Sequence, residues 1–172
     1  MEQGRHVLCE KPLCCNGDDV EQVIRMARER HLFLHEGMWT RFFPAYELAR
    51  QTIDDGGIGE VKEVHSDFGI KASDFEEYPS SPFYQHSLGG GALNFVGCYP
   101  LATATFGFGS QPPKRVLAVS TLDEATAVDL SGSVLLDYSS RGVAAVTYSF
   151  LAESAEETTI VGTLGRVKFG NP

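Results

Sequence analysis

The chain has 172 residues and 18.8 kDa, room for one compact domain and too little for two generous ones. Apolar residues at 42% and charged residues at 22% are ordinary for a globular protein and wrong for a disordered one. Fourteen basic against twenty-three acidic residues leave a net charge of -9 and a pI near 4.9, which argues against nucleic acid or an anionic membrane surface as partner.

No run approaches the roughly 18 uninterrupted apolar residues of a membrane span. The opening MEQGRHVLCE lacks the apolar stretch of a secretory leader, so a cytoplasmic protein is expected. Residues 6–10 (HVLCE) read as a short strand, followed at once by Lys11-Pro12-Leu13. Asn16 then caps a helix whose first turn carries Asp18 and Asp19, where the dipole favours anions. Val20, Val23, Ile24 and Ala27 form its apolar stripe, and Arg25, Arg28 and Arg30 crowd the C-terminal end. Residues 32–38 read as the next strand. A further helix starts at Pro44, with Ala45, Leu48, Ala49 and Ile53 inward, and stops at Asp55-Gly56-Gly57. Strand–helix–strand–helix is part of a doubly wound α/β unit.

The remainder changes character. Residues 61–70 read as a long strand, and the polar, proline-broken and aromatic stretch 72–87 as a loop. Gly89-Gly90-Gly91 opens a helix predicted over 92–105, and the glycines allow close backbone approach at its start. Strands follow at 115–122, 131–138, 143–151, 157–162 and 166–169, with a hairpin at Ser139-Ser140-Arg141-Gly142. Consecutive strands without helices favour an antiparallel sheet. The chain therefore reads as the end of one α/β layer followed by an antiparallel α+β domain. Residues 1–45 fall to the first domain and 46–172 to the second.

Several chemistries find no support. Cys9, Cys14, Cys15 and Cys98 form no CxxC pair, and Cys98 reads as packing. His31 and His35 are four apart, but Leu32, Phe33 and Leu34 between them read as strand, which separates them by about 13 Å. No metal site is expected. Gly107-Phe108-Gly109 runs into Ser110-Gln111-Pro112, which is no phosphate cradle, and no GxGxxG or GxSxG stands anywhere. Asp74, Glu76 and Glu77 read as a solvated loop.

Four segments in order carry a resemblance: CEKPL (9–13), EGMWTRFFPA (36–45), IGEVKEVHSDFG (58–69) and LGGGALNFVGCYPL (88–101). Together they resemble the Gfo/Idh/MocA oxidoreductases, collinearly and through the GTLGRVKF end (162–169). The branch with this pattern takes trans-dihydrodiols or aldoses such as D-xylose with NADP. The resemblance implies a fold class of an α/β Rossmann-domain remnant binding NAD or NADP followed by an α+β substrate domain with an open, mainly antiparallel sheet, through which it pairs as a homodimer. Against that pattern the first βαβ units and the C-terminal end are missing, so the chain reads as a fragment or a shortened paralogue.

Carried over residue by residue, Lys11 is the catalytic cation at the junction of nicotinamide and substrate, where such sheets bind ligands. Its alternative is a solvated surface lysine. Pro12 stiffens the turn and Glu10 orients backbone or ribose. Tyr99 takes the acid/base position, its phenol pKa of about 10 needing a cation nearby, and its alternative is a half-buried helix tyrosine. Trp39 and Arg41 would line the cofactor side, or Trp39 is a domain-interface aromatic. Phe95 stands where the family has Asp and, four residues ahead of Tyr99 on an α-helix, would share its face toward a polyol, sugar or dihydrodiol substrate. Asn94 points about 100° away. The arginine often found before the glycine run is not evident in SSPFYQHS (80–87). Loss of the nucleotide loop and of the carboxylate at 95 supports a second reading, a non-catalytic remnant serving as a ligand-binding or association module.

Overall fold

The computed structural model describes residues 1–170, which form two compact units, Met1–Trp39 and the residues from Thr40 onward. In the first unit, β1 (Val7–Cys9) pairs in parallel with β2 (Leu34–Glu36), and α1 (Gly17–Glu29) connects them. The Asn16 side chain accepts the Asp19 N–H at 2.9 Å, the capping bond that fixes where α1 begins. Ala27 is buried on the apolar stripe. The strand read over 32–38 shrinks to Leu34–Glu36, because His31 at φ 54 still belongs to the turn that ends the helix.

In the second unit, α2 (Pro44–Asp54) precedes β3 (Val61–Gly69). The inward face of α2 differs from the sequence reading. Ala49 is buried and Ile53 half-buried, but Ala45 is exposed and Leu48 is 65% exposed. The packed stripe runs instead through Tyr46, Ala49 and Ile53, spaced i, i+3, i+7, with the Tyr46 ring edge-on to Phe106 and Phe169. That packing draws α2 into the sheet-bearing unit, so the compact units divide at 39/40 where the sequence reading drew its line at 45/46.

The six-stranded sheet has the order β4 (Arg115–Leu122), β5 (Asp129–Asp137), β6 (Val143–Ser149), β3, β7 (Glu157–Gly162), β8 (Arg166–Gly170). Its pairs are antiparallel except β3–β6, so the open sheet is mixed and mostly antiparallel. The parallel pair arises because β3 is laid down first and the β4–β5–β6 meander returns to its flank. A pleat with period two sends Val64, Ala144, Val146 and Ile160, all at most 1% exposed, to one face. Across that face lies α3 (Cys98–Phe108), with Ala104 and Phe108 in the same core. The other face, carrying Leu117, Leu135, Val143 and His65, is open.

The helix predicted over 92–105 has an irregular start. Leu93–Gly97 make a π-helical turn, and regular α-helix begins at Cys98. Hydrogen bonds to the fifth residue instead of the fourth change which side chains share a face, so the four-residue argument for positions 95 and 99 does not carry over.

Candidate functional site

The sequence-predicted residues fall in both units: Glu10, Lys11, Pro12 and Trp39 in the first, Arg41, Phe95 and Tyr99 in the second. In the first unit the Lys11 turn leaves the C-terminal ends of a parallel strand pair, with Cys9 opposite Glu36. Glu10 accepts the Lys11 N–H at 3.3 Å, and Glu36 Oε1 accepts the Leu13 N–H at 2.9 Å. The Gly37 N–H reaches Cys9 O at 2.7 Å, which closes the ends of both strands on the same turn. Lys11 is partly buried there, Glu10 exposed, and the Trp39 ring 47% exposed. Burial pushes the Cys14 thiol up, with Asp19 and the neighbouring thiols adding to the effect.

In the second unit Tyr99 sits near the start of α3 with its ring stacked on Phe68, centroids 5.1 Å and planes 25° apart. Phe68 is near the end of β3, so strand and helix together fix the phenol. The two rings line a cavity of about 30 Å³ together with Tyr46, Asp67, Thr103 and Glu156, among others. That volume holds one or two waters and no sugar. Its polar groups pair among themselves: Ser66 Oγ with Thr158 Oγ1 at 2.8 Å, and Tyr46 Oη with Thr103 Oγ1 at 3.4 Å. Burial raises the Tyr46 phenol, with the Thr103 hydroxyl working against it. Asp67 accepts the Glu156 N–H at 2.8 Å and the Glu157 N–H at 3.3 Å, anchoring the start of β7 to β3.

Phe95 packs in an aromatic cluster, 4.0 Å from the Phe83 centroid and 6.2 Å from that of Phe150. Asn94 donates from Nδ2 to Gly89 O at 3.0 Å. Arg41 is exposed and lines a surface groove with Tyr46, Glu47, Arg50, Thr105 and Phe106. Arg50 is engaged by Phe106 O and, at 3.2 Å, by Asp54. Glu36, Asp67 and Phe68 escaped the sequence reading as site residues; Asp67 and Phe68 stand in the quoted IGEVKEVHSDFG segment, and Glu36 heads the EGMWTRFFPA segment before it. Among the described residues no group of three His, Cys, Asp or Glu gathers for a metal ion, and no helix is long and apolar enough to cross a membrane.

The family model described as the GFO/IDH/MocA C-terminal domain matches residues 46–168. Trans-1,2-dihydrobenzene-1,2-diol dehydrogenase of Xenopus tropicalis is 36% identical over 168 residues, 98% of this chain and 49% of that protein. The human enzyme of the same name is 34% identical over the whole chain and 50% of its own length. Among solved structures, an aldose-aldose oxidoreductase from Caulobacter crescentus complexed with glycerol superposes with a TM-score of 0.86 at 26% identity, over 97% of this chain and 50% of that one. A 3-ketoreductase from Actinomadura kijaniata in complex with NADP and TDP-benzene gives a TM-score of 0.84 at 28% identity, over 99% and 52%. The fold and these relatives define an oxidoreductase lineage, and the chain belongs to the Gfo/Idh/MocA family. It spans about half the length of the curated relatives it matches.

Proposed function

We propose that this chain carries the substrate side of an NADP- or NAD-dependent oxidoreductase acting on the CH–OH group of a trans-dihydrodiol, sugar or other polyol. The observation that carries the reading is the partly buried Tyr99 phenol, held against Phe68 at the start of the family's glycine-initiated helix. Tyr99 removes the hydroxyl proton. Lys11, in the first unit, is assigned the role of the family's cation, a charge of the kind that stabilises a developing alkoxide. The dinucleotide, when bound, accepts the hydride. Residues 1–45 form the end of a dinucleotide-binding domain and 46–172 the substrate and dimerisation domain.

The β1–α1 turn does not suit a pyrophosphate. Asn16 caps the helix with its own side chain, and Asp18 and Asp19 occupy the first turn. The uncharged nicotinamide end is a better match for the first unit's Glu10, Lys11 and Pro12 turn and its half-exposed Trp39 ring; in the second unit, the exposed Arg41 is assigned to a cofactor phosphate. Tyr99 and Phe95 are assigned to the substrate side, Tyr99 stacked on Phe68 and Phe95 in the Phe83–Phe150 cluster. The open sheet face carries an apolar strip of Leu117, Val119, Leu135 and Val143, which supports a homodimer pairing through that face; a cytoplasmic setting is part of the same proposal. Neither nucleic acid nor a membrane enters this reading.

The test is NADP-dependent turnover of aldoses and aromatic trans-dihydrodiols by the full chain, with Tyr99→Phe and Lys11→Met alongside. Turnover that Tyr99→Phe abolishes supports the assignment. The Phe83–Phe95 packing, with an apolar ring at the position of the family's carboxylate, favours the alternative of a non-catalytic association module. Absence of both turnover and any NADP-induced thermal shift would leave that reading standing.

A further inference from the structure

A π-helical turn is rare and persists where surrounding contacts hold it. Three contacts act on Leu93–Gly97. Asp129 Oδ2, at the first position of β5, accepts the Leu93 N–H at 2.7 Å. Gly91 makes the approach possible: its φ is 120, and a Cβ there would collide with Asp129 Oδ1. At the other end of the turn Gly97 lies flat on the Tyr148 ring, where a Cβ would come 3.0 Å from the ring carbons. Two residues further on, Tyr99 meets Phe68. The Asp129 carboxyl is half-buried; burial raises its pKa and the Leu93 N–H works against that rise.

We propose that Asp129 is a positioning residue for Tyr99, its carboxylate holding the π register of Leu93–Gly97 and so the rotation at which the phenol leaves the helix. Release of that hydrogen bond lets the turn relax to α register. One residue of register is about 100° of rotation, enough to take the Tyr99 ring off Phe68. The relevance to chemistry rests on the proposed acid/base role of Tyr99; the positional claim does not.

The full chain is labelled with 3-fluorotyrosine, and the Tyr99 fluorine resonance is assigned by its loss in Tyr99→Phe. In Asp129→Ala the Leu93 amide exchanges about tenfold faster and the Tyr99 resonance shifts or splits, while that of Tyr138 stays in place as the fold reference. Asp129→Asn keeps an acceptor oxygen and restores both signals. Asp129→Glu, longer by a methylene, moves the Tyr99 resonance without removing the charge and decides the matter should the alanine variant not fold. A Tyr99 resonance unchanged in Asp129→Glu and in a folded Asp129→Ala would overturn the proposal. Turnover that survives Tyr99→Phe would remove the acid/base assignment and leave the clamp intact.

Discussion

Glu36 reaches from the end of β2 to the turn that follows β1, where its Oε1 accepts the Leu13 backbone N–H at 2.9 Å. The partners are twenty-three residues apart in the chain. The bond ties the Lys11-Pro12 turn to the second strand, so the position of Lys11 depends on β2 as well as on its own strand.

Glu36→Ala leaves the Leu13 N–H without that acceptor and should cost about 1–2 kcal/mol. Urea unfolding reads the cost, and amide exchange at Leu13 should accelerate while exchange in the six-stranded sheet stays unchanged. Glu36→Gln retains a carbonyl oxygen at the same place and should lose less than half as much. Equal losses in the two variants would mean that the charge, and not the acceptor, supports the turn.

Placing a carboxylate at position 95 is predicted to damage the fold. The Phe95 ring lies 4.0 Å from that of Phe83, in a cluster that includes Phe150. Phe95→Asp removes the ring and brings a charge into an apolar site, a loss of about 3 kcal/mol or more, against a total stability of roughly 5–15 kcal/mol for a typical domain. Phe95→Leu should cost about 1–2 kcal/mol. Thermal unfolding of the two variants side by side checks the ranking, and an unaltered melting temperature for Phe95→Asp would show that the aspartate escapes to solvent.

How much of this was legible in the sequence depended on the range of the forces. The start of α1 was readable because Asn16 and Asp19 are three residues apart. The strand runs from β4 to β8 were readable because pleat alternation is local. The π turn was not, since its supports come from Asp129 and Tyr148, on strands that follow in the chain. The parallel β3–β6 pair was hidden for the same reason, as its register joins Glu63 to Val143. Leu48 was misassigned because two stripes on α2 are nearly equally apolar, and only packing of Tyr46 on Phe106 and Phe169 chooses between them. Tyr99 stands in a recognisable motif, whereas the Phe68 ring stacked on it belongs to a strand some thirty residues earlier and no local pattern links the two.

Tyr148 makes stability pH-dependent on the alkaline side. Burial, with the Asp129 carboxylate adding to it, pushes its phenol up to about 12. An unfolded tyrosine titrates near 10. The folded state therefore holds this proton more tightly, so the contribution is complete below about pH 10 and lost as pH rises to about 12. Tyr148→Phe cannot titrate, so the difference in unfolding free energy between wild type and variant should narrow or reverse across that window. A parallel fall in both proteins would place the alkaline sensitivity elsewhere.

Two copies of the chain are expected to pair through the open sheet face. Leu135 lies on β5, 46% exposed, with Leu117 opposite it on β4 and Ala145 on β6. Leu117 and Val119 are 58% and 69% exposed on the same face. Toward β3 the face turns polar, with the His65–Glu63 pair at 2.8 Å. A two-fold contact that stacks the apolar strip of one copy on that of another would bury about 800 Å² per partner for a stable dimer. Leu135→Glu puts a charge into the middle of the strip, and its mutual repulsion across the two-fold adds to the desolvation cost. Light scattering at micromolar concentration should then report a dimer for wild type and a monomer for the variant, with melting of the variant monomer still cooperative because position 135 lies outside the core. A wild-type monomer, or a dimer untouched by Leu135→Glu, would rule out association through this face.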